Sequence, residues 1–261
     1  MAFLAPIAAV VALWWLATVV ALYRTGLPRR TFRATFVAAT VLGAAGLALI
    51  VATRELATVP GAYAAFAGAL AIWSWHELSY LLGYVNGPRA AGCPAGLPAA
   101  RRFWLGVKAS LYHELAIVLT ALALWLVSAG SANRVAFWTF TVFWLMRWSV
   151  KLNIFLGVRN LRLDYLPVHL QYLSSYVGRR DMNPWFPVAM VVAAFGIAAL
   201  IASALNNGAG TFVATSQALF ATLLVLAVLE HVLLMIDVSD DVLWRLATTL
   251  RSWRPGTGNA P

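Results

Sequence analysis

The sequence predicts an all-α protein, a polytopic membrane helical bundle of about seven transmembrane helices, with its amino terminus outside and its carboxyl terminus in the cytoplasm. Composition is the first observation: 62% of the residues are hydrophobic and only 11% are charged, where a soluble domain would be about half apolar. Apolar runs of spanning length are the second. The third is the placement of Lys and Arg, which collect on alternate connections between those runs.

A span needs about 20 predominantly apolar residues at a rise of about 1.5 Å each. Runs meeting that template cover 4–23, 34–53, 61–82, 105–127, 135–156, 185–205 and 212–236. The first has no basic residue before it and is long enough to span, so it reads as a retained helix rather than a cleaved signal. Residues 1–238 therefore form one transmembrane helical domain, and 239–261 a short cytoplasmic tail. Orientation follows from the basic residues, because cytoplasmic connections accumulate them. All Lys and Arg except Arg54 and Arg134 fall on one side, so the formal charge of +10 reports topology and gives no reason to invoke nucleic acid. The lipid bilayer is the first partner, and a bacterial inner (cytoplasmic) membrane the expected location.

Two connections are long. Residues 83–102 are rich in Gly and Pro and predict an irregular loop. Residues 157–184 alternate basic with aromatic or leucine positions, as an interfacial helix flanked by loops would. The loops on the other side are short, which leaves little room for an external receptor surface. The single Cys93 excludes an intrachain disulfide and has no neighbouring base to activate it. Asp237, Asp240 and Asp241 read as a solvated helix end, or as the cap of a short interfacial helix over 240–252.

Within the apolar runs stand three adjacent His and Glu pairs: His76–Glu77, His113–Glu114 and Glu230–His231. Counting 1.5 Å per residue places them about 8–14 Å from the cytoplasmic ends of spans three, four and seven, in one layer. An ionised side chain at the centre of a spanning helix costs about 2.5–3.5 kcal/mol, so such groups face the bundle interior and find partners. Trp73, His76, Glu77 and Tyr80 recur at helical spacing, as do Lys108, Tyr112 and Leu115; Trp144, Arg147, Trp148 and Lys151 make a polar and aromatic stripe on span five.

Three chemistries fit this cluster. It can be a structural network in which Glu77, Glu114 and Glu230 meet Arg147, Lys151 and the histidines. It can be a metal site for iron, manganese or zinc, with His76, Glu77, His113, Glu114, Glu230 and His231 as ligands; the Glu-x-x-His spacing of soluble di-iron bundles is absent. Alternatively, one histidine can ligate a bound tetrapyrrole among the tryptophans. Asn153 is a candidate for a polar ligand or for helix packing, and His169 is an interfacial histidine able to complete a site from the cytoplasmic side. No Gly-rich phosphate loop, HExxH or GxSxG motif is present, so kinase, zincin and hydrolase readings lack support. No repeat or mid-span break favours a transporter.

The blocks "GAYAAFAGALAIWSWHELSYLLGYVNGPR", "CPAG", "RFWLGVKASLYHELAIVLTALAL", "FWTF", "KLNIFLGVRN" and "SSYVGRRDMNPWFPV" together resemble the PuhE-like family, photosynthetic complex assembly proteins of phototrophic bacteria. That resemblance is strong over roughly 60–190 and weak at the termini. It implies an inner-membrane protein encoded with reaction-centre genes. The implied role is assembly of the reaction centre with its core antenna and supply or insertion of bacteriochlorophyll. The implied partners are reaction-centre or core-antenna subunits, or pigment-synthesis enzymes. No catalytic residue is implied; His76, Glu77, His113, Glu114, Lys151, Asn153 and Asn183 stand in the matching blocks, whereas Glu230 and His231 lie outside them. The alternative is a membrane metalloenzyme of oxidase or hydroxylase type acting on a tetrapyrrole or other lipophilic substrate. Whether the chain is an enzyme stays open at this level.

Overall fold

The computed structural model describes residues 3–160 and 166–236, and the segment 237–261, with its three aspartates and the expected tail, lies outside the described residues. Among the described residues seven α-helices carry the fold: α1 (Leu4–Thr25), α2 (Phe32–Thr53), α3 (Val59–Leu81), α4 (Ala99–Ser128), α5 (Val135–Leu156), α6 (Trp185–Asn206) and α7 (Phe212–Met235). Short 3-10 turns at Arg29–Thr31 and Val168–Tyr176 lie between them. The protein is a polytopic helical membrane protein: α1, α2 with its preceding turn, α4, α6 and α7 are long and apolar enough to cross a membrane. The other two helices, α3 and α5, match them in length and carry His76, Glu77, Arg147, Lys151 and Asn153 within their apolar sequence.

Each apolar run begins or stops for a local reason. Thr58 and Thr211 cap α3 and α7 by accepting from the N–H groups of Gly61 and Ala214. Asn183 caps α6, its Oδ1 accepting from the N–H of Trp185 and of Phe186. Gly157 ends α5 at φ 124°, a backbone conformation that only glycine adopts without strain. Most predicted bounds hold to within a few residues. The main departure is α4, which begins at Ala99, inside the predicted loop, because Ala and Arg continue the helix back to Pro98 after its apolar stretch ends. Glu114 therefore lies near the middle of a 30-residue helix. In the second long connection, the expected interfacial helix is a nine-residue 3-10 segment.

With no hydrophobic drive between helices in lipid, close packing depends on small residues and polar cross-links. An added Cβ at Gly46 of α2 would lie 2.7 Å from the carbonyl oxygen of Gly68 on α3, and one at Gly68 would lie 2.7 Å from that of Gly46. The core runs through α3, α5 and α7, where Phe66, Phe140, Leu219 and Leu223 are fully buried, whereas most of α6 is exposed. At one end of the bundle Asn133 ties α5 to the α2–α3 turn, donating to the carbonyls of Thr53, Leu56 and Gly61. At the other, basic end Asn183 donates to Asn153 Oδ1 and to the Gly157 carbonyl. Asn153 is itself fully buried and acts in packing.

The Gly46–Gly68 contact predicts that Gly68→Ala lowers the melting temperature of the detergent-purified protein, at an overpacking cost of about 1–3 kcal/mol. Gly43→Ala, whose Cβ would meet Trp75 at an ordinary 3.4 Å, leaves the melting temperature unchanged.

Candidate functional site

Four of the ionisable residues singled out from the sequence meet between α3, α4 and α5, and they meet as two pairs. Arg147 of α5 donates from Nη2 to Glu77 Oε2 on α3 at 3.1 Å. Lys151, one turn along, donates to Glu114 Oε1 on α4 and lies over the Tyr80 ring at 5.4 Å. Glu230 of α7 is within electrostatic reach of Arg147. Residues 147 and 151 stand four apart on one helix face, so α5 presents its two cations on the side that α3 and α4 approach.

The histidines take three different roles. His231 spans from α7 to α5: its Nδ1–H donates to the Ala227 carbonyl at 2.7 Å, while Nε2 accepts from the Ser149 hydroxyl at 2.7 Å. Ser149 in turn accepts from Trp185 Nε1, which links α6 to the same chain of bonds. His76 is fully buried, with Nε2 against Thr120 Oγ1 at 3.0 Å and Nδ1 without a partner. His113 is fully buried with neither ring nitrogen partnered, packed 4.6 Å from the Tyr80 ring and 6.1 Å from that of His76. Its backbone N–H donates to the carbonyl of Asn86, so the 83–98 loop inserts against α4 at this turn. Gly87 makes that approach possible, since a Cβ there would lie 2.1 Å from the Lys108 carbonyl oxygen.

Of the Trp73, His76, Glu77 and Tyr80 stripe, Trp73, His76 and Tyr80 are buried and Glu77 is part-buried. The Lys108, Tyr112 and Leu115 stripe does not belong to the site: Tyr112 and Leu115 are half exposed on the outside of α4, and the inward face carries Ala109, His113, Glu114 and Ile117. Nor do the six metal-ligand candidates converge. Among the described residues no group of three or more His, Cys, Asp or Glu is placed to hold a metal ion. Glu77 and Glu114 each give an oxygen to a cation, and both nitrogens of His231 are committed. Sequence reasoning missed Thr120 and Ser149. Their signal was spacing: Thr120 follows His113 by seven residues and Ser149 precedes Asn153 by four.

Beside the charged pairs lies a cavity of about 380 Å³ lined by α4, α5, the ends of α1 and α3, and the segment 166–177. Glu114, Arg147, Trp148 and Lys151 line it together with apolar groups such as Phe103, Val107, Phe155 and Leu173. His113 is not part of its lining. The segment 166–177 closes the basic end as a strap. His169 Nε2–H donates to the Leu81 carbonyl, Tyr176 OH donates to the Ala91 carbonyl and accepts from Arg89, and Ser175 Oγ accepts from the Cys93 N–H.

A family model described as a protein of unknown function, DUF3623, matches residues 1–253. The chain belongs to this family. It is similar to an uncharacterized 30.4 kDa protein in the puhA 5′ region of Rhodobacter capsulatus, at 31% identity over 240 residues that cover 88% of this chain and 85% of that protein. No solved structure matches it. The match of this DUF3623 chain to its family model includes α7 with Glu230 and His231, so the resemblance is not confined to the central helices.

Two predictions follow from the site. Lys151→Met strands Glu114 in the bundle and destabilises by about 3–5 kcal/mol, whereas Lys151→Met with Glu114→Leu recovers most of the loss, as read by thermal unfolding in detergent. Burial lowers the His169 imidazole below its ordinary value and nearby Arg29 adds to this, against the opposing hydrogen bond to Leu81. The neutral ring is therefore the folded form, and its contribution is present above about pH 6.5 and lost as pH falls through the lowered folded value. Hydrogen exchange corrected for intrinsic rates should show strap protection falling on acidification from pH 7.5 to 5, and His169→Gln should remove that dependence.

Proposed function

We propose that this chain is an inner-membrane factor for assembly of the photosynthetic reaction centre and its core antenna, modulating bacteriochlorophyll supply or insertion. The observation that carries the reading is the relative in the puhA 5′ region, matched along most of both chains. It agrees with the PuhE-like resemblance of the central blocks. The geometry supports a scaffold or carrier over a metalloenzyme, because the carboxylates are spent on cations and cross-link helices. Its partners in this reading are reaction-centre or antenna subunits, or pigment enzymes, which reach the lateral surface of the bundle or its basic end. Deleting the coding gene in its phototrophic host should lower reaction-centre and core-antenna absorbance several-fold relative to total membrane protein, and a plasmid copy should restore it. Unchanged absorbance would contradict the assembly role.

All seven helices cross the membrane in this reading, with the basic end inside. The helix directions alternate, and Arg24, Arg29, Arg101, Arg102, Arg179 and Arg180 gather at that end. The sole cysteine, Cys93, is partly exposed in the 83–98 loop there. A membrane-impermeant maleimide should label it only after the cells are permeabilised; labelling of intact spheroplasts would reverse the orientation.

A further inference from the structure

The cavity beside the ion pairs has two chemically distinct ends. Toward the strap its walls are apolar and aromatic, with Phe103, Phe155, Leu173 and Tyr176 among them. Its charged groups lie deeper: Glu114 is eleven residues beyond Phe103 on α4, about 16 Å along the axis. Arg147 is likewise eight residues before Phe155 on α5, about 12 Å away.

The deep end exposes its cations more than its carboxylates. Arg147 and Lys151 both line the cavity and keep 27% and 26% of their side-chain surface accessible, more than the 19% and 12% of Glu77 and Glu114. Arg147 meets Glu77 through Nη2 and Lys151 meets Glu114 through one N–H, which leaves each cation further donors. Arg147 Nε and Trp148 Nε1 are buried without a partner, and so are Glu77 Oε1 and Glu114 Oε2 on the facing carboxylates. The accessible part of the Arg147 and Lys151 side chains is what the cavity presents, and an oxygen acceptor is the group that suits two cations.

We propose that this cavity binds a single-chain lipophilic molecule headed by a carboxylate or carbonyl group. The head lies at Arg147 and Lys151, and the apolar body runs under the strap. Depth separates this occupant from an ordinary bilayer phospholipid, whose ester groups stay near the interface while Glu114 lies near the middle of α4. The volume of about 380 Å³ is at the small end of ligand sites, which suits one chain rather than two. This inference rests on the cavity and not on the assembly reading, and either can fail alone.

The test is photo-crosslinking of the full chain in nanodiscs with a diazirine-bearing long-chain fatty acid, with labelled peptides located by mass spectrometry. Labelling should concentrate at least tenfold on 103–110 and 150–155 relative to lipid-facing α6, and excess oleate should displace it. Displacement by methyl oleate as well would identify a carbonyl as sufficient, and displacement by oleate alone would identify the carboxylate; both support the site. Gly106→Leu should reduce the labelling tenfold, with the melting temperature measured to show that the protein is folded; a Cβ there meets the Tyr176 ring at 3.6 Å. Ser110→Phe provides a second way to fill the same space. Even labelling along α6, displacement by oleylamine, or full labelling in a folded Gly106→Leu protein would overturn the proposal. So would suppression of the signal in ester-linked discs relative to ether-linked ones, because that would name a bilayer lipid as the occupant.

Discussion

Two cations on one face of α5 must be neutralised inside the bundle, and much of the architecture follows from how that is done. A charge in hydrocarbon is tolerated only when it is paired or reaches water. Arg147 and Lys151 take their partners from two different helices, Glu77 on α3 and Glu114 on α4, so α5 is cross-linked to both. The pairs specify position more than they add stability, since apolar side chains of similar size would pack at no greater cost. They cross-link three helices at defined turns beside the apolar core those helices share.

The uncharged polar residues extend the same logic outward. His231, Ser149 and Trp185 form a bonded chain from α7 through α5 to α6. Asn133 and Asn183 fasten opposite ends of the bundle through backbone carbonyls. Because the strap is held by Tyr176, His169 and Ser175 to the 83–98 loop and the end of α3, the space between the charged pairs and the basic end is walled rather than collapsed. These bonds hold the strap beside the cavity, and a site formed before its ligand arrives costs least to occupy.

How much of this the sequence disclosed depends on the kind of constraint. Helix positions were legible because hydropathy is a strong local signal, and the burial of His76, His113 and Glu114 because ionisable groups in an apolar run face inward. Pairing was not legible: Glu77 with Arg147 rather than a histidine depends on helix rotation and neighbours, which no single helix encodes. The outward turn of Tyr112 and Leu115 misled for the same reason, since their spacing is helical whichever way the helix faces. Gly46 and Gly68 passed unnoticed because small residues are common in such helices and only the close approach of α2 and α3 gives them meaning. The start of α4 at Ala99 was hidden because it extends the helix beyond the apolar run that marked the span.

A double-mutant cycle on Glu77 and Arg147 tests the central claim most directly, with thermal unfolding of Glu77→Gln, Arg147→Met and the combined variant measured in one detergent. If the pair fixes α5 against α3, each single change is strongly destabilising and the double change costs less than their sum, with a coupling energy of about 2 kcal/mol or more. Additive effects, with no coupling, would mean that the helices find their register without the pair.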